Sequence, residues 1–267
     1  MPRPKRKQRQ LKSHRYAVRR SRPARAHSSA SSLDSLPAIV QAEPNNVSAR
    51  MELAEHYLQN DQEDKILEVL RGLEDWYSFF DKFQRGYYNR LMAFGHAHRS
   101  QLLEAEKAAH LGLEEFPNSL DFHFVLCYVH LSLKEIDQSI ASGERFVSLW
   151  NEIRDGRTAP PDFSFTGRHA AQLFNILGTA YREKGDFASA QEFYKKAIDS
   201  GPGDHLPYIN LATLLRHLGE SDKAEKVIKQ GLKRCRQCDE LRTLSRQGEL
   251  HATISACMIV KNEEELL

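Results

Sequence analysis

The sequence has few cysteines, no long apolar run and no acidic residue near its beginning. Its 267 residues include four cysteines, too few for a disulfide framework in a chain of this length, and this favours a reducing, cytoplasmic compartment. They are Cys127, Cys235, Cys238 and Cys257. No stretch of about 18 apolar residues occurs, so no membrane span is expected. The N-terminus also lacks the apolar core of a secretory signal.

Acidic residues are missing from residues 1–33, which hold eleven Lys or Arg. The rest of the chain has 27 basic against 36 acidic residues, so a net charge of +2 conceals a tail and a body of opposite sign. Residues 1–36 are predicted to be a disordered tail, since they bury too little apolar surface to offset the entropy of ordering. A nucleic-acid or anionic-surface arm, an organellar transit peptide, a solubilising tail and upstream sequence translated from a misplaced start codon all fit this composition. Nucleic-acid binding is disfavoured because Tyr16 is the tail's only aromatic residue.

Motifs for catalysis or metal binding are also missing. The sequence contains no Gly-rich phosphate loop, GxSxG elbow, HExxH or catalytic triad pattern, so no catalytic residue is predicted. His96 and His98 are two residues apart and point to different faces of a helix, which disfavours chelation. Cys235 and Cys238 form a CxxC without a visible second pair of ligands and are interpreted as incidental thiols. No metal site is predicted, and Cys127 is expected in the core.

A 34-residue helical period fills most of the chain. Between 171 and 204, small and large residues recur at fixed offsets, and the same offsets recur between 205 and 238. The first set is Phe174, Leu177, Gly178, Tyr181, Gly185, Ala190, Tyr194, Ala197 and Pro202. The second set is Tyr208, Leu211, Ala212, Leu215, Gly219, Ala224, Ile228 and Gly231. Weaker repeats are predicted at about 47–80, 86–119 and 120–153.

These residues, Leu177-Gly178-Thr179-Ala180-Tyr181 above all, closely resemble the tetratricopeptide repeat (TPR) family. The resemblance implies an all-α fold, a TPR-type α-solenoid of about five helix-turn-helix repeats over residues 37–238. It also implies that the small residues Gly178, Ala190 and Gly231 lie where helices approach closely. Residues 154–170 are predicted to be an inserted loop, marked by Ala159-Pro160-Pro161-Asp162, and residues 239–253 a short helical cap and linker.

Seven aromatic residues cluster between positions 76 and 88. They are Trp76, Tyr77, Phe79, Phe80, Phe83, Tyr87 and Tyr88. The cluster fits an exposed patch that anchors a partner. A lengthened helix that packs on its neighbour is the favoured interpretation.

The resemblance implies that the first helix of each pair lines a concave groove that binds a protein or peptide. Candidate groove residues are Arg90, Phe94, Tyr128, Asn175, Arg182, Asn210 and Arg216. Arg182 and Arg216 occupy the same repeat position and are expected to stack. With Asn175 and Asn210 they would bind a peptide backbone or carboxylate. An ordinary solvated groove is the alternative. The residues do not match the lysine-and-asparagine clamp of some family members.

Residues 254–267 differ from the helical pattern. An apolar run from Ile254 to Val260 predicts a buried strand, and Asn262 with Glu265 predicts a capped helix start. The string Cys257-Met258-Ile259-Val260-Lys261-Asn262-Glu263 resembles the opening strand of family 2 glycosyltransferases. The resemblance implies that this is the first strand of a catalytic domain absent from the chain. Asn262 and Glu263 are its candidate nucleotide-loop residues, and a nucleotide-sugar and divalent metal are expected only if that domain follows.

Two functions are therefore predicted. In the first, the chain is the acceptor- or partner-binding part of a family 2-like glycosyltransferase and has no catalytic activity of its own. In the second, it is a stand-alone scaffold or adaptor. Both require a protein-binding helical array.

Overall fold

The fold is an all-helical array. The computed structural model describes residues 35–157, 167–235 and 238–246, and each regular element within these ranges is helical. Residues 1–34 and 247–267, with the predicted tail and the predicted strand, lie outside the described residues. No helix in the described part of the chain has the length and apolar content needed to cross a membrane.

The helices are short to medium in length and follow one another closely. They are α1 Leu36–Ala42, α2 Val47–Gln59, α3 Ile66–Leu70, α4 Lys82–His98, α5 Leu102–Glu115, α6 Leu120–Ser132, α7 Ile136–Arg154, α8 Gly167–Lys184, α9 Phe187–Ser200, α10 Leu206–His217 and α11 Ser221–Arg234. Two 3₁₀ helices, Glu63–Lys65 and Leu73–Phe79, flank α3. Residues 239–246 are also helical.

Consecutive helices pack in pairs, α4 with α5, α6 with α7, α8 with α9 and α10 with α11. Each pair then packs on the next, because α5 contacts α6, α7 contacts α8 and α9 contacts α10. A buried core runs through the stack and includes Cys127, as predicted, and Leu241, which extends the core into the segment after α11. This neighbour-to-neighbour packing is the architecture of a helical-repeat solenoid.

The turn between the two helices of a pair has the same geometry throughout the array. Its left-handed residue is Asp61, Ser100, Lys134, Gly185 or Gly219, with φ between 56° and 86°. These five residues occupy the same offset from 47, 86, 120, 171 and 205, the predicted starts of the repeats. In the last two turns glycine adopts this conformation without strain, whereas the other three side chains adopt it at a cost.

Small residues allow the close helix approaches that the sequence predicted. A Cβ atom added to Gly178 on α8 would lie 2.6 Å from the ring of Tyr194 on α9, within one pair. A Cβ atom added to Gly112 on α5 would lie 2.0 Å from the ring of Phe122 on α6, in the next pair. Glycine is therefore required sterically both within and between pairs.

The segment after α2 differs from the predicted repeat at 47–80. Its second half is not one helix but a 3₁₀ turn, the five-residue α3 and a second 3₁₀ helix. Gly72 separates the last two, with a left-handed φ of 84° that a continuous helix does not permit. The buried side chains Ile66, Leu70 and Leu73 still hold this irregular segment against the array.

The aromatic cluster does not form the lengthened helix that the sequence favoured. The second 3₁₀ helix ends at Phe79, Phe80 is extended, and α4 begins as a separate helix. Asp81 caps α4, accepting from the Gln84 backbone N–H at 2.8 Å while the Gln84 side chain accepts from the Asp81 N–H at 3.0 Å. This capping box fixes the start of α4 four residues before the predicted repeat.

The insertion is shorter than predicted. The sequence places a loop at 154–170, whereas α7 continues to Arg154 and α8 begins at Gly167. Residues 158–166, with the Pro160-Pro161 pair, lie outside the described residues. The period alone could not show that α8 extends four residues upstream of its repeat.

Candidate functional site: the inner face of the helical array

The first helices of successive pairs form one continuous surface. α2 contacts α4, α4 contacts α6, α6 contacts α8 and α8 contacts α10. Because first helices contact one another directly along the row, we define their shared surface as the inner face of the stack. All seven predicted groove residues belong to these helices.

Arg90 is buried in the inner face rather than exposed in a groove, so this part of the prediction is wrong. Its side chain is 2% exposed. Nε donates to Asp121 Oδ2 and Nη1 donates to Glu55 Oε2, both at 2.5 Å. Burial alone would lower the pKa of Arg90, but the carboxylates of Asp121 and Glu55 raise it above its usual value. The guanidinium is therefore a permanent cation that joins α2, α4 and α6.

Phe94 is also buried, contrary to the prediction. Its ring stacks on Phe124 of α6, with centroids 5.9 Å apart, and on His169 of α8, with centroids 5.8 Å apart. The Arg90 guanidinium lies 5.6 Å from the Phe94 centroid on the same surface. Three aromatic rings from three helices, together with the Arg90 ion pairs, therefore cover the part of the inner face where these side chains meet.

Beyond this closed part, the inner face becomes more polar and more accessible. Tyr128 on α6 and Thr213 on α10 are exposed, as the sequence predicted for Tyr128. Asn175 and Asn210 contact each other, since Asn210 Nδ2 donates to Asn175 Oδ1 at 2.9 Å across α8 and α10. This hydrogen bond links the two amides directly. We refer to the surface of Tyr128, Asn175, Arg182, Asn210 and Thr213 as the open inner face.

Arg182 and Arg216 have different partners, although they share a repeat position. Arg182 is 34% exposed and donates to its neighbour Glu183 at 3.0 Å. Arg216 donates to Glu225 at 2.6 Å and to the backbone carbonyl of Leu244 at 2.8 Å. Arg216 therefore ties α10 to the segment that follows α11. Of the two guanidinium groups, that of Arg182 is the more accessible to a ligand.

A second accessible surface lies beside the closed inner face. Phe79 is 80% exposed, and Trp76 and Phe83 are each about half exposed. The Trp76 and Phe79 rings are 6.4 Å apart, and Phe83 stacks on Tyr87. Glu74, Asp75 and Asp81, which are close to these rings in the sequence, are also exposed. We call the three exposed rings Trp76, Phe79 and Phe83 the aromatic patch. The interpretation of the aromatic cluster as an exposed patch is correct for these three residues, whereas Phe80 and Tyr88 are buried.

The remaining predicted residues add little to this surface. Cys235 and Cys238 are free thiols, with Cys238 buried under α10 and α11 and the Cys235 thiol donating to the carbonyl of Gly203 at 3.3 Å. His96 and His98 face different partners, as their spacing indicates: His96 contacts Gln101, and His98 approaches Glu63. The nucleotide-loop candidates Asn262 and Glu263 lie outside the described residues.

The spacing of three charged residues in the sequence indicates the buried ion pairs of Arg90, although the repeat pattern alone does not. Glu55 precedes Arg90 by 35 residues, and Asp121 follows it by 31. Opposite charges separated by about one repeat on first helices come together when pairs stack. A search for charges at that separation would have assigned Arg90 to the interior.

Comparison with known proteins supports the helical-repeat fold. The family model described as "Tetratricopeptide repeat protein 21 forth ARM domain" matches residues 173–266. No curated protein sequence matches the chain significantly. A chain of the APC/C hetero-tetramer Cut9–Hcn1 is 12% identical with a TM-score of 0.62, over 82% of this chain and 39% of that one. Yeast Tom70 is 15% identical with a TM-score of 0.57, over 90% of this chain and 47% of that one.

A smaller protein matches over nearly its whole length. A thermophilic TPR protein of Thermus thermophilus is 16% identical with a TM-score of 0.53, over 76% of this chain and 99% of that one. This chain thus spans less than half of the Cut9–Hcn1 and Tom70 chains that it resembles. At these identities the likeness establishes the fold, which is a TPR-like helical solenoid.

Proposed function

We propose that this protein is an interaction scaffold that binds an extended segment of a partner protein along its open inner face. The observation that carries this proposal is the change in character along one surface. Arg90, Phe94 and their partners cover one part of the inner face, whereas Tyr128 on α6, Arg182 on α8 and Thr213 on α10 are accessible outside that part. A segment that follows the inner face therefore meets its accessible polar groups on α6, α8 and α10.

The side chains of the open inner face favour a segment with exposed backbone and an acidic group. Asn175 and Asn210 are already aligned by their mutual hydrogen bond, so they present an amide donor and an amide acceptor at little further entropic cost. Arg182 supplies a guanidinium suited to a carboxylate. Its present partner is the adjacent Glu183 in a partly exposed pair, which competes only weakly with a ligand.

The aromatic patch provides a second contact surface for the same scaffold function. Exposed Trp and Phe side chains are typical anchors of protein interfaces, and the exposed acidic residues of the same segment favour a partner that carries Lys or Arg. The two surfaces therefore favour ligand segments of opposite charge. A single partner with an acidic and a basic segment, or two partners, would satisfy this arrangement.

Peptide display on the full chain tests the proposal. Peptides selected for binding should carry an acidic group, and Asn175→Ala with Asn210→Ala, or Arg182→Ala, should weaken their binding at least tenfold in fluorescence polarisation. Arg157→Ala, an exposed arginine paired with Asp155 away from the inner face, is the matched control and should leave Kd unchanged. Equal affinity of all these variants would overturn the open inner face as the binding surface. If only Phe79→Ser abolished binding, the binding surface would be the aromatic patch.

A more specific proposal is that the array positions an acceptor for a family 2-like glycosyltransferase domain. The observation in favour is the string from Cys257 to Glu263, in which Asn262 and Glu263 would contact the nucleotide of a nucleotide-sugar held with a divalent metal. The helical family model reaches residue 266, which favours the alternative of a stand-alone scaffold. Sequencing past the codon for Leu267 separates them: in-frame strand-helix alternation with a DxD-like motif supports the transferase, and a stop codon contradicts it. Cytoplasmic localisation stays a prediction from the cysteine content.

A further inference from the structure

A group of metal-binding side chain types lies between α5 and α6, away from the inner-face residues described above. Glu106 and His110 are one turn apart on α5, and His130 lies near the end of α6. Glu106 Oε1 is 3.4 Å from His130 Nε2 and 3.8 Å from His110 Nε2. The ligand atoms of all three residues lie within 4.8 Å of one another. Glu135, in the turn before α7, brings a second carboxylate to 3.9 Å from His130 Nε2.

The surroundings of His130 restrict what its ring can do. The side chain is 8% exposed, and Nε2 is directed at the carboxylates of both Glu106 and Glu135. Two carboxylates that face Nε2 create a negative potential there, which favours a bound cation at this position. On the other side of the ring, Nδ1 lies 3.5 Å from Ser142 Oγ. A hydroxyl that accepts the Nδ1 proton fixes Nε2 as the free ligand atom.

We propose that Glu106, His110, His130 and Glu135 bind a zinc ion. Two imidazoles and two carboxylates are a ligand set that Zn²⁺ accepts, and its bonds of about 2.0–2.2 Å require neighbouring ligand atoms to be roughly 3.3–3.6 Å apart. The closest pair already meets this requirement at 3.4 Å. The remaining gaps close by rotation of His110 and Glu135, whose side chains are 57% and 44% exposed.

A zinc ion at this position joins two successive helix pairs. Glu106 and His110 belong to the α4–α5 pair, whereas His130 and Glu135 belong to the α6–α7 pair and its turn. With four protein ligands the ion has a structural role, as a bridge that stabilises the stack when bound. Glu106 and His110 are four residues apart, a spacing that places both side chains on the same face of one helix and that was not among the predicted metal-binding patterns.

Zinc titration of the full chain, by calorimetry and thermal unfolding, tests the proposal. The ligand atoms of His205, Cys238 and Glu240 also lie within 4.8 Å of one another, so a second zinc ion could bind there. The measured quantity is therefore the number of zinc ions bound per chain in each variant. His110→Ala and Glu135→Gln change exposed residues and should preserve the fold. Each should lower the affinity of one equivalent at least tenfold and reduce the zinc-induced rise in Tm.

His98→Ala is the matched control, because His98 is an exposed histidine 4.0 Å from a carboxylate of Glu63. It should bind as many equivalents as the wild type and show the same rise in Tm. Cobalt(II) as a second probe should give the visible absorption of a tetrahedral site in the wild type and in His98→Ala, and a weakened band in His110→Ala. If His110→Ala and Glu135→Gln match the wild type in stoichiometry and Tm, or if the wild type binds no zinc, the cluster is not a zinc site and the proposal is overturned.

Discussion

Arg90 Nε donates a hydrogen bond to Asp121 Oδ2 at 2.5 Å across the boundary between two helix pairs, and both side chains are 2% exposed. Arg90→Met preserves most of the buried volume but leaves the carboxylates of Asp121 and Glu55 without their cation. A buried pair broken in this way typically costs about 3–5 kcal/mol, since the remaining charge cannot be solvated. We expect a loss of that size in the free energy of unfolding, measured by urea denaturation.

A partly exposed ion pair on the same helix is the control for this substitution. Arg85 contacts Glu115 at 2.7 Å, and both side chains are partly accessible to solvent. Arg85→Met should therefore cost less than about 1 kcal/mol. Equal losses for the two variants would contradict the burial argument.

Lys134 is a site for stabilisation, because it has a left-handed φ of 66° where the later turns have Gly185 and Gly219. A side chain in this conformation costs roughly 1–2 kcal/mol, and part of the gain on removing it is offset by the freedom of glycine in the unfolded chain. Lys134→Gly should raise the free energy of unfolding by about 0.5–1 kcal/mol. Lys134→Ala keeps the strained backbone and removes the side chain, so it should not stabilise. A stabilising Lys134→Ala would show that the side chain, not φ, was unfavourable.

Gly178 is expected to tolerate no larger residue. A Cβ atom there would lie 2.6 Å from two ring carbons of Tyr194, which is fully buried. Gly178→Ala should lower the free energy of unfolding by about 1–3 kcal/mol, despite the better helix propensity of alanine, because the pair cannot separate without exposing its core. Gly203→Ala, where nothing lies within 4 Å of the added atom, should change it by less than about 0.5 kcal/mol. The midpoints of urea unfolding of the two variants measure these changes, and equal midpoints would contradict the steric argument.

Cys127 should resist alkylation in the folded protein. Burial raises the pKa of its thiol to about 12, with a smaller opposing effect of the hydrogen bond between the thiol and Ser139. Because the thiolate is the reactive form, raising the pH from about 8 to about 10 stays below that pKa and should leave Cys127 unmodified. Cys235 is partly exposed and should react first. Mass spectrometry of the alkylated peptides measures both, and rapid native labelling of Cys127 would contradict this expectation.

The repeat pattern predicted the fold because it reports steric requirements that recur. The resemblance to the TPR family places Gly178 at a close helix approach, and in the structure the ring of Tyr194 lies where a side chain of residue 178 would be. Arg90 and Phe94 were misplaced for the same reason: their repeat position is exposed in an open groove, and only the neighbouring pairs determine whether it is covered. Asp121 and Phe124 cover them, and neither is apparent from one repeat considered alone.

Local backbone chemistry explains the other errors. Asp81 and Gln84 form a capping box that starts a helix inside a run of aromatic residues, and Gly72 interrupts the preceding one. The helical period extends through both signals, so it predicted one long helix. The capping residues identify the true start.

The Arg90 network also determines how the array can come apart. In a stack of helix pairs, the terminal pair normally frays first and leaves the remainder folded. Unfolding of α2 would separate Glu55 from Arg90, and unfolding of α6 would separate Asp121 from Arg90. Partial opening therefore leaves a buried charge without its ion-pair partner. The segment from α2 to α7 should therefore exchange its amide hydrogens as one cooperative unit.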